Sequence, residues 1–435
     1  MSEKLTNGFK IKTLFGGEIT VKHFLAEGGQ GAVYVVDYNG EEKALKWYKP
    51  IALGDNPYAF YENLKSNAER KKPSEEFLWP LDVTEQVGNT FGYVMDLRPE
   101  GYYEITEFML CHVRFRSFRS LIDAAMSIVS AFRILHNAGY SYQDMNDGNF
   151  FINPNNGKVL ICDNDNVAPD RAETGIIGKP RYMAPEIVLG KSKPNSLTDR
   201  FSMSLILYIL FCLNHPLEGK RYLVSGLTPA LQEKLYGSEP LFMMDPNDSS
   251  NGPHPVIHKN SLAIWPCLPE YVQKIFLDAF SQKAFQNPNV RPKEIDWLNV
   301  LTRFRSDIVQ CCCGNEVFTQ QGEDCKCDVC GKDVKIPFKL ELSNYSIPAV
   351  KGSRLYRCQL GVCDASEALN PVASVLQKED SGILGIKNKY GKRWDAVTTK
   401  GIAKKVAPDE VIPLKDGIKF TVENETIVIK ENIKK

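Results

Sequence analysis

An acid, an amide five residues later and a second acid beyond a hairpin constrain this chain more than any other feature. Tyr142-Gln143-Asp144-Met145-Asn146-Asp147-Gly148-Asn149 is followed after a short gap by Ile161-Cys162-Asp163-Asn164-Asp165, and apolar runs bound both segments. That order supplies what metal-assisted phosphoryl transfer requires: one carboxylate to orient a hydroxyl nucleophile, and an Asn and an Asp to hold Mg²⁺ against phosphates. Three polar loop residues mean little alone, so the flanking sequence carries the weight.

Residues 8–48 alternate apolar and polar positions between Gly-rich breaks, a pattern that predicts antiparallel strands. Within them lies Leu25-Ala26-Glu27-Gly28-Gly29-Gln30-Gly31-Ala32-Val33-Tyr34, whose glycines let a backbone close over phosphates while Val33 can cap an adenine ring. The next strand carries Ala44-Leu45-Lys46-Trp47-Tyr48. A Lys among apolar strand residues is costly to bury unpaired, so an anionic partner is expected. Further on, Leu121, Ala125, Ile128, Phe132 and Leu135 recur at helical spacing and predict a packing face that ends near Gly139.

In their order and spacing these motifs resemble the protein-kinase superfamily over about residues 15–305. The resemblance implies an α+β bilobal fold, with one lobe over 1–97 and the other over 98–305. It implies ATP as donor, with Gly28, Gly31 and Val33 in the nucleotide-covering loop, where Ala26 replaces the first glycine. Ala44 and the Met95-Asp96-Leu97 link would border the adenine. Lys46 would hold the α- and β-phosphates and pair with a Glu on a helix within Tyr58 to Glu69, either Glu62, favoured by its distance after Lys46, or Glu69. Asp144 is implied as catalytic base, and Asn149 and Asp163 as ligands of Mg²⁺ or Mn²⁺. Gly178-Lys179-Pro180-Arg181-Tyr182-Met183-Ala184-Pro185-Glu186 resembles the segment closing an activation loop, and Asp199 the acid that braces the catalytic loop. Val290-Arg291-Pro292 implies an Arg291–Glu186 ion pair.

Four departures qualify the match. Gln143 stands where regulated kinases carry an Arg that receives an activation-loop phosphate, and a neutral amide cannot make that charge-assisted contact. Activity is therefore expected not to depend on phosphorylation of Thr174, the one Ser or Thr between Asp163 and Glu186. Asn146 stands at the usual position of a Lys and Lys179 at that of a Thr, which suggests a relocated basic group. Asp163-Asn164-Asp165 replaces an Asp-Phe-Gly triplet; for Asp165 a solvated or helix-capping role is expected.

Past Leu301 the composition changes. Of 12 cysteines, six fall from Cys311 to Cys330, in Cys311-Cys312-Cys313-Gly314 and Cys325-Lys326-Cys327-Asp328-Val329-Cys330-Gly331. Knuckles of this kind resemble a zinc ribbon, here over 306–337, with Cys311, Cys313, Cys327 and Cys330 as Zn²⁺ ligands and Cys312 and Cys325 as alternates. Four thiolates leave zinc no open position, so the site is structural. Residues 338–435 alternate apolar and polar positions between Gly and Asn breaks and predict a small all-β, sandwich-like interaction domain. It resembles a forkhead-associated domain, but the region has no His, so docking is expected rather than phosphopeptide reading.

Lys and Arg balance Asp and Glu at 53 each, which gives no electrostatic case for nucleic acid or membrane binding. The N-terminus lacks a signal-peptide pattern and the apolar run from Leu205 to Leu213 is short for a bilayer, so a cytoplasmic protein is expected. The order of modules, with Ala44-Leu45-Lys46-Trp47-Tyr48 and Phe77-Leu78-Trp79-Pro80-Leu81, is similar to bacterial Ser/Thr kinases of tellurite-resistance-like clusters. That similarity implies a von Willebrand A protein as substrate and a metal-dependent phosphatase as antagonist. The leading reading is a Ser/Thr protein kinase. The alternatives are a catalytically weak or inactive kinase-like scaffold and another ATP-dependent transferase, acting on a small molecule or transferring AMP.

Overall fold

The computed structural model describes residues 4–53, 56–172 and 178–432. The chain divides into two compact units, one of Met1–Arg114, Ala131–Leu268 and Gln273–Pro292, the other of Phe115–Ser130, Pro269–Val272 and Lys293–Lys435.

The first unit begins with strands β1 (Lys10–Lys12), β2 (Glu18–Glu27), β3 (Gly31–Tyr38) and β4 (Glu41–Tyr48), helix α1 (Pro57–Ala68), and strands β5 (Asp82–Val83) and β6 (Gly92–Met95). The strands form one antiparallel sheet in the order β1-β2-β3-β4-β6-β5. Period-two alternation sends Ile19, Val21, Tyr34, Val36, Leu45 and Trp47 into one apolar cluster. It sends Ala44, Tyr48 and Tyr93 into a second, completed by Phe60 and Leu64 of α1. The helix starts where it does because Asn56 accepts a hydrogen bond from the Ala59 amide and Pro57 needs no donor at that position.

The remainder of this unit is mainly helical. Helix Ser196–Cys212 opens with a capping box between Asn195 and Thr198, and from Phe201 onward every residue is buried. Its apolar run is therefore core: Tyr208 packs edge-on against Phe242 at 5.3 Å and Phe276 at 5.4 Å. Among the described residues no helix is long and apolar enough to cross a membrane.

In the second unit, helix Glu294–Asp307 makes an ion pair between Arg305 and Asp123 at 2.7 Å. Phe304 meets Phe118 and Phe318 at 5.3 and 6.1 Å, and Arg303 lies over Tyr345 at 4.8 Å. Hence residues 293–305, expected with the large lobe, group instead with the Cys-rich and β modules. Two short hairpins follow, Ile308–Gln310 with Glu316–Phe318 and Cys325–Lys326 with Asp333–Val334. Residues 338–431 form a six-stranded and a four-stranded antiparallel sheet. Leu340, Trp394, Phe420 and Ile429 from the first and Leu355, Val375, Ile386 and Ile412 from the second share one apolar cluster. Period-two burial of this kind is why the segment reads as strands.

Candidate functional site

The first unit holds a cleft of about 570 Å³ lined by Gly28, Gly31, Val33, Ala44, Lys46, Met95, Asp96, Leu97, Asp144, Asn149 and Asp163. Every nucleotide-site residue expected from the sequence except Glu62 is thus brought together. The volume is in the range of small-molecule sites.

The roof is the β2–β3 hairpin. The Gly28 amide donates to the Gly31 carbonyl at 2.8 Å, and Lys49 anchors the turn through the Gly28 carbonyl at 3.0 Å. A Cβ at Gly31 would meet the Trp47 carbonyl oxygen at 2.2 Å, so only glycine lets β3 lie this close to β4. Register pairs Ala44 with Met95 and Val33 with Lys46, which puts the residues expected to border adenine and to face phosphates on adjacent strands.

The floor is the loop from Tyr142 to Asn149, expected to be catalytic. Asp199 of helix Ser196–Cys212 accepts from the Tyr142 amide at 2.6 Å and the Gln143 amide at 3.2 Å, while Gln143 adopts φ 72°. This is the bracing that the sequence led one to expect. The Gln143 side chain donates to Ser141 Oγ and the Ala172 carbonyl. Asn149 donates to the Asp144 carbonyl at 2.8 Å, and its own carbonyl accepts from the Cys162 amide at 2.9 Å. The hairpin Phe150–Ile152 with Val159–Ile161 separates these two positions in sequence and returns Asp163 beside Asn149. Asn146 turns inward, accepting from the Gly148 amide and donating to the Asp144 carbonyl.

Burial first, then the Asp163 and Asp165 carboxylates, push Asp144 up to about 6, against the pull of Lys179 and Lys46. Lys179 lines the cleft, and a Cβ at Gly178 would lie 3.3 Å from Asp144 Oδ1. A basic group therefore does stand near the expected base.

Lys46 departs from expectation. It is 4% exposed, and its ammonium donates to Gln30 Oε1 at 2.9 Å, Asp163 Oδ1 at 3.1 Å and Asp165 Oδ2 at 2.9 Å. Burial opposes its charge, but the two carboxylates outweigh that and hold its pKa above the usual range. Glu62 is not among these partners. Helix α1 presents Asn63 and Asn67 instead, which donate to the Val167 carbonyl at 3.0 and 2.7 Å. Asp165, expected to be solvated or capping, is fully buried and also accepts from the Tyr48 hydroxyl. The physical reason is charge pairing: a buried ammonium needs an anion, and Asp165 supplies it from the loop side. The sequence reading missed Gln30, Tyr48 and the pairing role of Asp165. An Asp at the place of the Gly of the Asp-Phe-Gly triplet was the available signal.

Arg291 and Glu186 form the expected pair, at 2.8 and 2.7 Å. Thr174 lies outside the described residues.

In the second unit, Cys311, Cys313, Cys327 and Cys330 bring their sulfurs within 4.8 Å of one another, and Cys312 and Cys325 are not in the group. The Cys311–Cys330 and Cys313–Cys327 separations are 3.6 and 3.7 Å. Tetrahedral Zn–S bonds of about 2.3 Å require sulfurs about 3.8 Å apart, so the four thiols fit a structural zinc ion.

Residues 99–236 match the family model described as protein kinase domain. The maternal embryonic leucine zipper kinase of Xenopus laevis is 31% identical over 190 residues, covering 42% of this chain and 28% of that protein. The serine/threonine-protein kinase Nek11 of Macaca fascicularis is 26% identical over 255 residues, covering 51% of this chain and 37% of that protein. The chain spans between 25% and 44% of the length of such curated relatives. Among solved structures, the PknI kinase domain of Mycobacterium tuberculosis aligns with 68% of this chain and 98% of its own, at a TM-score of 0.47 and 17% identity. The family model falls on the segment that carries Asp144, Asn149 and Asp163, so this chain carries a protein kinase domain there, and the relatives it is similar to include Ser/Thr kinases.

Proposed function

We propose that this chain transfers the γ-phosphoryl group of ATP to Ser or Thr hydroxyls of a protein substrate. The observation that carries the reading is the convergence of Lys46, Asp144, Asn149 and Asp163 in one cleft beneath the Gly28–Gly31 turn. In this reading Lys46 holds the α- and β-phosphates, and Asp144 orients the attacking hydroxyl and takes up its proton. Asn149 and Asp163 are the residues that would hold Mg²⁺ or Mn²⁺, which when bound neutralises phosphate charge. Lys179, which lines the same cleft, is the basic group that would steady the γ-phosphate. Gln143 offers an amide where a phosphate-reading Arg would stand, so turnover is independent of Thr174 phosphorylation. Zinc in the Cys311, Cys313, Cys327 and Cys330 cluster supports the fold of the C-terminal modules, which recruit substrate.

The test is incubation with γ- or α-labelled ATP and Mg²⁺ or Mn²⁺, using a von Willebrand A domain protein as the first substrate and a metal-dependent phosphatase to remove the label. γ-Label on Ser or Thr that is lost in Asp144→Asn supports the reading. α-Label points to AMP transfer, and nucleotide binding without label points to a scaffold.

A further inference from the structure

Lys46 has three N–H donors, and all three are engaged, by Gln30, Asp163 and Asp165. These partners are not equivalent. The Asp163 side chain is 34% exposed at the cleft, where it faces incoming phosphates and metal, whereas the Asp165 side chain is 0% exposed. Gln30 belongs to the Gly28–Gly31 turn that roofs the cleft. Asp165 is the carboxylate partner of Lys46 that lies away from solvent, and Tyr48, fully buried two residues along the same strand, donates to the same oxygen, Oδ2.

Helix α1 supplies none of these three partners. Helix α1 is tied to the loop through neutral amides, with Asn63 and Asn67 donating to the Val167 carbonyl, while the Trp79 indole donates to the Asn67 backbone carbonyl at 2.8 Å. Its carboxylate Glu62 is partly exposed and not bonded to Lys46. We propose that Asp165, held by Tyr48, is the positioning residue for the phosphate-binding Lys46, and that the carboxylate of helix α1 is dispensable for it. The ammonium is then set by the same loop that carries Asp163, and displacement of α1 cannot withdraw its counter-charge.

This inference rests on the kinase reading for the role of Lys46, but it is tested by binding, which needs no turnover. Full-length parent, Asp165→Asn, Tyr48→Phe and Glu62→Gln proteins are titrated with ATP and with adenosine, in the presence of Mg²⁺. Loss of a hydrogen bond to a charged group predicts ATP binding weakened by about tenfold to a hundredfold in Asp165→Asn. A smaller loss is expected in Tyr48→Phe, with adenosine binding unchanged in both and Glu62→Gln matching the parent for both ligands. Parent-like ATP affinity in Asp165→Asn, or an equal loss in Glu62→Gln, overturns the proposal. Should Asp165→Asn lose adenosine binding too, Tyr48→Phe decides, since it keeps the charge: parent-like ATP binding there overturns the proposal as well. A parent that binds ATP but transfers nothing refutes the transferase reading and leaves this outcome readable.

Discussion

Removal of either partner of the Arg291–Glu186 pair is expected to destabilise the first unit more than removal of both would suggest. Arg291 has a side chain 1% exposed, and Glu186 one 15% exposed. The guanidinium makes two bonds to the carboxylate, a third to the Leu197 carbonyl at 2.9 Å and a fourth from Nε to the Ala284 carbonyl at 3.1 Å. It also lies 5.4 Å from the Phe201 ring. The pair thus ties the end of the 178–186 segment to the start of helix Ser196–Cys212 and to the chain near Ala284. Glu186→Ala leaves a buried guanidinium without its anion, at a cost of about 3–5 kcal/mol. Arg291→Ala strands the carboxylate and two carbonyls at a similar cost. The double variant removes both charges together, so its cost falls short of the sum, with a coupling of about 1–3 kcal/mol. Urea unfolding of the four proteins measures this, and hydrogen exchange across Ser196–Cys212 localises it. Singles that add to within about 0.5 kcal/mol refute the reasoning, because independent costs mean that the two groups do not depend on one another.

Other expectations are as specific. His215 is buried, with Nε2 against the Arg181 carbonyl at 2.9 Å and Nδ1 accepting from the Leu217 amide at 3.2 Å, so both nitrogens are used by the neutral ring. Burial holds its pKa down from 6.5 to about 4. The unfolded chain takes this proton first, so stability is intact above pH 6.5 and falls by up to roughly 3 kcal/mol as pH drops towards 4. Melting temperature against pH should show that slope in the parent and a flatter one in His215→Gln; equal slopes count against it. Asp199→Asn weakens the bracing of the Tyr142 and Gln143 amides and is expected to lower kcat about a hundredfold with ATP affinity retained. Parent-like turnover contradicts that role. Cys327→Ser should lose bound zinc, read by metal analysis of the purified chain, whereas Cys325→Ser should keep it; the reverse result reassigns the ligands.

Much of this architecture is written locally. Asp144 and Asn149 share one tight loop, so five residues of sequence already fix their relation, and the bond from Asn149 to the Asp144 carbonyl follows from that spacing. The four clustered cysteines come from two short turns; spacing offered Cys311, Cys313, Cys327 and Cys330 with Cys312 and Cys325 as alternates, and the fold brought the first four together. Strand alternation and the helix face at Phe132 were legible because burial repeats with the backbone's own period. Bordering helix Glu294–Asp307 was not legible in the same way, since its apolar face says that it is buried but not against what.

The partner of Lys46 lay beyond any local rule. Asp165 is 119 residues away, and Glu62 on the neighbouring helix offered the same charge at a shorter sequence distance. Sequence determined that a buried ammonium would need an anion; tertiary packing determined which one. By seating Asn63 and Asn67 of α1 against the Val167 carbonyl, the fold left Asp165 as the buried carboxylate in reach. Hydrogen-bond geometry tolerates only a few tenths of an ångström, and no one-dimensional pattern carries that precision.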